Sequence, residues 1–354
     1  MARTPRQLLD QSTRHAAHLE RLKTQDSREL LQLLEQMERE LLGYVSQQDV
    51  STWTRQKMNR RLSHVRSMMR ESFTGDIIPQ LNKQISDLAQ YESAFEMRSL
   101  ENVVRYDFDL PSSDQLRSAI RGRPLDVRGQ QGKLLGSFIE DWTENQVTRT
   151  ANTLRSGFAR GLTTPQIVRQ LREEAGPINR RGLEALTRTA LNHSATEARE
   201  AVWDRNSDII SRVRWVSTLD LRTTTECASL DGRLFKVGEG PRPPLHVGCR
   251  STTVAALDER FSFLEEGGTR RARDPETGLV TDAPAGQTYY GWLKDQPASV
   301  QDSIIGPTRG KLMRGGGLDS QRFAELQLNR HFEPMTLDQM RELEPVAFER
   351  AGID

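Results

Sequence analysis

Apolar residues recur at intervals of three and four along the first third of the chain. They form three stripes: Leu30, Leu34, Met37, Leu41 and Val45; Met58, Leu62, Val65, Met69 and Phe73; and Leu81, Ile85, Leu88, Tyr91 and Phe95. Each stripe predicts an amphipathic helix, the first capped by Asp26 or Ser27 and the second ended before Pro79. Polar helices with one narrow apolar stripe are typical of elongated bundles, so residues 1–110 are predicted to be an amphipathic helical region for docking.

Helical spacing returns after a break at residues 107–132 that is rich in turn-forming residues. One helix is predicted to run from about Leu134 to Gly161, and Thr163 or Thr164 caps the next, which has Pro165 near its start. Gly176 and Pro177 are predicted to close that helix, and residues 181–206 form another. We therefore assign residues 120–208 to a second helical part.

The apolar period changes from 3.6 toward 2 near Ile209. Residues 210–216, 233–237 and 249–254 have strand patterns, and Leu230-Asp231-Gly232 is a turn signal before the second. One helical turn fits residues 223–228. Residues 209–260 are thus predicted to form a small β unit that carries both cysteines.

The remainder of the chain, residues 261–354, is predicted to be a linker followed by short helices. Residues 267–287 are rich in Gly, Pro, Asp, Thr and Arg, which is typical of an exposed loop. Asp319 or Ser320 caps a helix over residues 323–328. The fold class is α+β: mostly α-helical, with an elongated N-terminal helical region, a small C-terminal β unit and an irregular tail.

Composition narrows the class of protein. The chain has 354 residues, a formal charge of +1 and two cysteines, and it contains no apolar run long enough to span a membrane. The N-terminus lacks a secretory signal, so we expect folding in a cytoplasm. Two cysteines cannot form a disulfide framework, and they are expected to be thiols or metal ligands.

Positive charge is concentrated in residues 51–70, which contain six cations and no acid: Arg55, Lys57, Arg60, Arg61, Arg66 and Arg70. A basic helical face can bind nucleic-acid phosphates or an acidic partner. A simply solvated face is the alternative interpretation.

Both cysteines lie close to a histidine among turn-forming residues. His246 precedes Cys249 by three positions, and Cys227 lies 22 positions before Cys249. A His-x-x-Cys turn is typical of zinc sites, and Asp220, Glu226, Asp231 or water are candidates for the fourth ligand. Two buried thiols beside a hydrogen-bonded histidine are an equally simple interpretation. A zinc hydrolase with Glu226 as base is a weaker hypothesis, and no oxyanion motif supports a Cys–His protease.

These residues form an ordered series that resembles the signature of phage Mu F-like minor head proteins, the head-morphogenesis family of tailed phages. The series contains Asp220, Thr223, Cys227, Leu230, Asp231, Gly232, Pro243, Pro244, His246, Cys249 and Arg250. Shorter similarities extend it from Gly122 to Leu328. The family pattern often ends His-x-x-Cys-Arg-Cys, whereas Ser251 follows Arg250 here.

The resemblance implies a virion protein made in the cytoplasm of a host bacterium. Its expected partners are the phage portal protein, the major capsid or scaffolding protein, packaged DNA and other copies of itself. We expect a structural role in head assembly, DNA packaging or genome ejection, not an enzyme, with zinc as a candidate structural cofactor. The alternative is a metal-dependent or DNA-handling protein delivered with the genome.

Overall fold

The computed structural model describes residues 8–104, 106–257 and 269–353. Seven helices form the helical body: α1 (Leu8–Ser46), α2 (Arg55–Ser72), α3 (Ile78–Val103), α4 (Ser113–Gly122), α5 (Leu135–Ala159), α6 (Thr164–Gln170) and α7 (Gly176–Arg205). None of the helices in these ranges combines the length and the apolar character needed to cross a membrane.

The three apolar stripes lie on α1, α2 and α3 as predicted, although Tyr91 is 39% exposed. The predicted N-cap at Asp26 or Ser27 is wrong, because α1 runs without interruption from Leu8. The Ser27 hydroxyl donates to the carbonyl of Lys23 at 2.7 Å, so it is satisfied inside the helix. A π-helical turn, Phe73–Ile77, joins α2 to α3, and Pro79 lies in the first turn of α3, where its missing N–H costs little.

Apolar side chains from α1, α2, α3, α5 and α7 meet in one continuous core. Leu34 of α1, Leu62 of α2, Leu154 of α5 and Leu183 of α7 are each no more than 1% exposed. Helix α7 packs against both α1 and α3. The first three helices therefore share their core with the helices that follow them.

The second helical part differs from its prediction in one respect, which is the end of the helix that Thr163 caps. Thr163 caps α6 with a capping box that includes Gln166, which confirms the predicted start. Gly176 does not close the helix, because a π-helical turn at Leu171–Ala175 leads directly into α7. The helical backbone therefore continues from α6 into α7.

The β unit is a three-stranded antiparallel sheet with the order β2-β1-β3. Its strands are β1 (Arg212–Val216), β2 (Leu234–Lys236) and β3 (Thr252–Ala256), which confirms the three predicted strands. Val213 of β1 pairs with Phe235 of β2 and with Ala255 of β3. The short helix α8 (Thr225–Leu230) lies between β1 and β2 and is capped by Thr224, as the predicted helical turn requires.

The exposed loop predicted for residues 267–287 is wrong where the structure describes it. Residues in this segment form an antiparallel hairpin of β4 (Thr269–Arg273) and β5 (Val280–Pro284). Arg270 and Ala272 of β4 are buried, and Ala272 bridges to Leu219. The period-2 pattern was hidden because one of the two inward positions holds an arginine.

Six short helices follow the hairpin and form a core of their own with Leu219 and Ala228. They are α9 (Tyr289–Lys294), α10 (Ala298–Ile305), α11 (Pro307–Gly315), α12 (Ser320–Glu325), α13 (Leu337–Leu343) and α14 (Pro345–Arg350). Asp319 caps α12 as predicted. The α+β, mostly helical fold class is confirmed.

Candidate metal centre

The two cysteines and His246 reach one point from three separate segments, which we call the knuckle. Cys227 lies in the first turn of α8, where the Thr224 hydroxyl accepts from its backbone N–H at 3.5 Å. His246 follows a segment that contains the cis Pro243–Pro244 bond, and Cys249 lies in the loop just before β3. The backbone N–H of Cys249 donates to the carbonyl of His246 at 3.1 Å, which closes the turn.

The distances within the knuckle suit a tetrahedral metal. The Cys227 and Cys249 Sγ atoms are 3.7 Å apart, and Cys227 Sγ lies 3.4 Å from His246 Nε2. Zinc–sulfur bonds of about 2.3 Å at a tetrahedral angle place two sulfur atoms about 3.8 Å apart. All three ligand atoms lie within 4.8 Å of one another, so the cluster could hold a metal ion.

The three ligand groups of the knuckle differ in how readily they lose a proton. The hydrogen bond from Cys227 holds the pKa of the Cys249 thiol well below its usual range, and raises that of Cys227 well above it. The pKa of His246 is raised chiefly by its own hydrogen bond to Cys249. Of the two thiols, Cys249 is therefore the one that loses its proton more readily. Metal binding would also require Cys227 and His246 to release their protons, so the affinity for metal should rise with pH.

The three carboxylates that were candidates for the fourth ligand are each paired with an arginine. Asp220 pairs with Arg250, Asp231 with Arg270, and the Oε1 atom of Glu226 lies 2.7 Å from Arg128 Nη1. Among the described residues, the group within metal-binding distance is limited to the two cysteines and His246. The Asp220, Glu226 and Asp231 alternatives are therefore wrong, and water remains.

Ser251 lies beside the knuckle, at the position where the resembled pattern often has a further cysteine. Its hydroxyl hydrogen-bonds to the Cys227 thiol and lies 3.3 Å from the Ser217 hydroxyl. The Ser217 hydroxyl in turn donates to the Cys227 carbonyl at 2.6 Å. The fourth side of the knuckle is therefore lined by hydroxyl groups. Two thiols and one imidazole on the other sides fit zinc.

Asp220 organises the loop between β1 and α8. Its carboxylate accepts from Arg250 Nη1 and Nη2 at 2.5 and 2.8 Å, from the backbone N–H of Arg222 at 3.0 Å, and from the Thr223 hydroxyl at 3.2 Å. Burial raises the pKa of Asp220, but these hydrogen bonds outweigh it and leave the pKa below its usual range. Asp220, Thr223 and Arg250 thus form one charged cluster next to Cys249.

Asp231 is a buried residue near the knuckle whose carboxylate accepts several hydrogen bonds. It accepts from the backbone N–H groups of Ser217 and Tyr289, both at 2.7 Å, and from Arg270 at 2.8 and 3.0 Å. The Arg270 guanidinium also donates to the carbonyls of Ser217 and Gln287. Sequence reasoning missed Arg270, because an arginine at an inward position of β4 gives no apolar alternation.

The remaining residues of the motif shape the backbone. Leu230 is fully buried beside Trp215 and both cysteines. Gly232 has a φ of +85°, in the left-handed region that favours glycine, as the turn required. Pro244 follows the cis peptide bond and is buried.

The six cations of residues 51–70 lie on α2, away from the knuckle. Arg61 donates to the Tyr44 hydroxyl at 3.0 Å, and Arg70 pairs with Glu144 of α5 at 2.7 Å. Among the described residues, no carboxylate forms an ion pair with Arg55, Lys57, Arg60 or Arg66, although Arg66 is near enough to Glu144 to help lower the pKa of that carboxyl. Four of the six cations on α2 are therefore left to form the basic face.

The described residues thus define a helical body joined to a small β unit with a Cys–His knuckle. Residues 148–254 match the family model described as phage Mu protein F like protein. The resemblance inferred from the motif is confirmed over these residues, which include α7, β1, β2, the first part of β3 and the whole knuckle. The match suggests a phage head morphogenesis protein. No curated protein and no solved structure matches the chain.

Proposed function

We propose that the chain is a structural minor head protein of a tailed bacteriophage. In this proposal it associates with the portal and acts in head assembly, DNA packaging or genome ejection. One observation carries it: the family match contains the complete series from Asp220 to Arg250. The structure supports it because Asp220 and Asp231 of this series each form a buried or half-buried hydrogen-bonded cluster beside the knuckle.

The proposed role of the knuckle is structural. Cys227, His246 and Cys249 would hold a zinc ion that fixes the loop before β3, and a bound metal there would stabilise the fold. The metal-dependent enzyme is the weaker alternative because Glu226, its candidate base, is paired with Arg128. The proposal therefore assigns no catalytic residue.

Portal association is tested by co-expressing the tagged full chain with the portal protein of the same phage. Deleting residues 1–110 is not a clean test, because α1 to α3 contribute to the core shared with α5 and α7. Exposed positions on α2 and α3 should instead be changed, with equally exposed positions on α13 as control. Capture of the portal protein that is lost only with the α2 or α3 variants supports the proposal. Normal heads and normal infection without the protein would contradict it.

Duplex DNA binding by the α2 face is a second candidate, favoured by the four cations that form no ion pair within the described part of the chain. Phosphate contacts make affinity fall with salt, with a slope of about −0.9 per contact on duplex DNA. Changing Arg60, Arg61 and Arg66 to Gln should weaken binding and reduce this slope. The matched control changes the exposed Arg28, Arg39 and Arg181. Equal affinities for both triple variants would exclude the α2 face.

A further inference from the structure

A cleft of about 850 Å³ lies between the N-terminal half of α1, helix α7, the β unit and the β4–β5 hairpin. Six arginines line it: Arg21, Arg188, Arg222, Arg250, Arg271 and Arg273. Three lining carboxylates, Glu20, Glu184 and Asp220, oppose them, which leaves the walls with a net charge of +3. Although both signs of charge are present, this excess of positive charge favours anionic ligands.

Three of these arginines are already paired. Arg188 contacts Glu20 at 3.0 Å, Arg250 contacts Asp220, and Arg271 contacts Asp282 at 3.3 Å. Such pairs hold their side chains in place and give the cleft fixed walls.

The other three arginines keep donors for a ligand. Within the described parts of the chain, the guanidinium groups of Arg21 and Arg222 have no partner, and both residues are exposed. Arg273 reaches the carbonyl of Gly278 at 2.9 Å and has no carboxylate partner among those residues. Five N–H donors on each guanidinium are more than one carbonyl can use.

The composition of the lining selects among anions. All its cations are arginines, whose planar donor fork matches phosphate oxygens in pairs. Its described residues include no aromatic ring, so it offers no surface for stacking bases. The volume lies within the range of about 300–1,000 Å³ that small-molecule sites have. These features favour the phosphates of a ligand over its bases and a small ligand over a duplex.

We propose that this arginine cleft binds a ligand that carries two or more linked phosphate groups. Such groups can come from a free nucleotide or from the end of a nucleic-acid strand. The cleft combines residues inside the family match, such as Arg188 and Arg222, with residues outside it, such as Arg21 and Arg273. It therefore does not depend on the proposed role in phage heads.

The first experiment measures binding to the purified full chain by calorimetry. The probes are inorganic tripolyphosphate, ATP, a short single-stranded oligonucleotide with a 5′-triphosphate, and hexaglutamate. Tripolyphosphate should bind, and hexaglutamate should bind at least about tenfold more weakly. ATP binding without the oligonucleotide identifies a free nucleotide as the source, and tighter oligonucleotide binding identifies a strand end. Hexaglutamate binding as tightly as tripolyphosphate would overturn the proposal in favour of an acidic peptide.

The second experiment reverses charge in the cleft. The double variant Arg21→Glu/Arg222→Glu should weaken tripolyphosphate binding by about tenfold or more, since it removes two charge-assisted contacts. The control Arg28→Glu/Arg181→Glu reverses one exposed arginine on α1 and one on α7, outside the cleft lining. Both variants should unfold at the same temperature as the parent, because none of the four side chains is buried.

A conservative variant separates geometry from charge. Arg21→Lys/Arg222→Lys keeps the charge but loses the paired donors, so its affinity should lie between the parent and the Glu double variant. The Arg60, Arg61 and Arg66 triple variant on α2 should bind tripolyphosphate as the parent does. Loss of binding in that variant, or unchanged binding in Arg21→Glu/Arg222→Glu, would place the phosphate site elsewhere.

Discussion

The helical body and the knuckle differ in the balance of contacts that stabilise them, although the helical body also contains a buried ion pair between Glu92 and Arg199. In the helical body, apolar side chains such as Leu34 and Leu62 pack in a core to which all seven helices contribute. Around the knuckle, two buried or half-buried ion pairs, Asp231–Arg270 and Asp220–Arg250, hold loops that have little regular structure. Burial of apolar area tolerates small shifts, whereas a buried ion pair depends on both partners being present. We therefore expect the region that carries the family motif to tolerate fewer substitutions than the apolar core of the helical body.

The largest effect is expected from removing Arg270. Arg270→Ala leaves the Asp231 carboxylate, which is buried, without its charged partner, and breaking a buried pair costs about 3–5 kcal/mol. Urea unfolding measures the loss. The control Arg271→Ala removes an exposed pair with Asp282 on the same strand and should cost less than about 1 kcal/mol. Similar losses for the two variants would remove the distinction between the regions.

A somewhat smaller effect is expected in the helical body. Leu34→Ala leaves a cavity in the shared core, which costs about 2–5 kcal/mol. The control Leu343→Ala truncates a leucine that is 58% exposed, and should stay within about 0.5 kcal/mol of the parent. The difference between the helical body and the knuckle is supported further if Leu34→Ala leaves the metal content of the protein unchanged while Arg270→Ala lowers it.

Metal removal should affect the knuckle and leave the helical body folded. Elemental analysis is expected to find close to one zinc per chain in the parent and little in Cys249→Ser. A ligand at a hundredfold excess over its Kd stabilises a protein by about 2.7 kcal/mol, so chelation should lower the unfolding temperature. His331→Ala, which changes an exposed histidine, is the control. A parent protein without zinc would remove the structural-zinc proposal.

The smallest expected effect is a change with pH inside the helical body. Burial raises the pKa of Glu96 to about 7, although Arg199 and the Trp203 N–H oppose the shift. The folded protein therefore holds this proton more tightly than the unfolded chain, so stability falls as pH rises from about 4.5 to 7. Unfolding of Glu96→Gln at pH 5 and pH 7.5 tests this. Relative to the parent, the variant should be more stable at pH 7.5 than at pH 5. A difference in unfolding free energy that is the same at both pH values would contradict the assigned pKa.

The same contrast decides how much the sequence could predict. The apolar stripes on α1 to α3 repeat every 3.6 residues because each side chain enters the core, so periodicity reported them. The turn at Gly232 and the cap at Thr163 are set by neighbours a few residues away, so local rules found them as well. Spacing likewise brought Cys227 and His246 to one candidate site, and the structure places them together.

The missed features depend on residues that are distant in sequence. The β4–β5 hairpin shows no apolar alternation, because the buried Arg270 pairs with Asp231, 39 positions earlier. The fourth-ligand hypotheses failed for the same reason, since arginines remote in sequence occupy Asp220 and Asp231. The start of α1 was misplaced because Ser27 bonds inside the helix and does not cap it. Polar partners of this kind have no periodic signal.

The contacts of Asp231 impose an order on maturation during synthesis. The ribosome produces all three knuckle residues before it reaches Arg270 and Tyr289, which complete the surroundings of Asp231. A nascent chain that ends between Cys249 and Arg270 thus exposes two adjacent thiols whose supporting loop still lacks its counter-charge. Completion of the knuckle must wait for the hairpin to be translated and docked. A product truncated before the hairpin consequently carries two thiols in an incompletely supported loop.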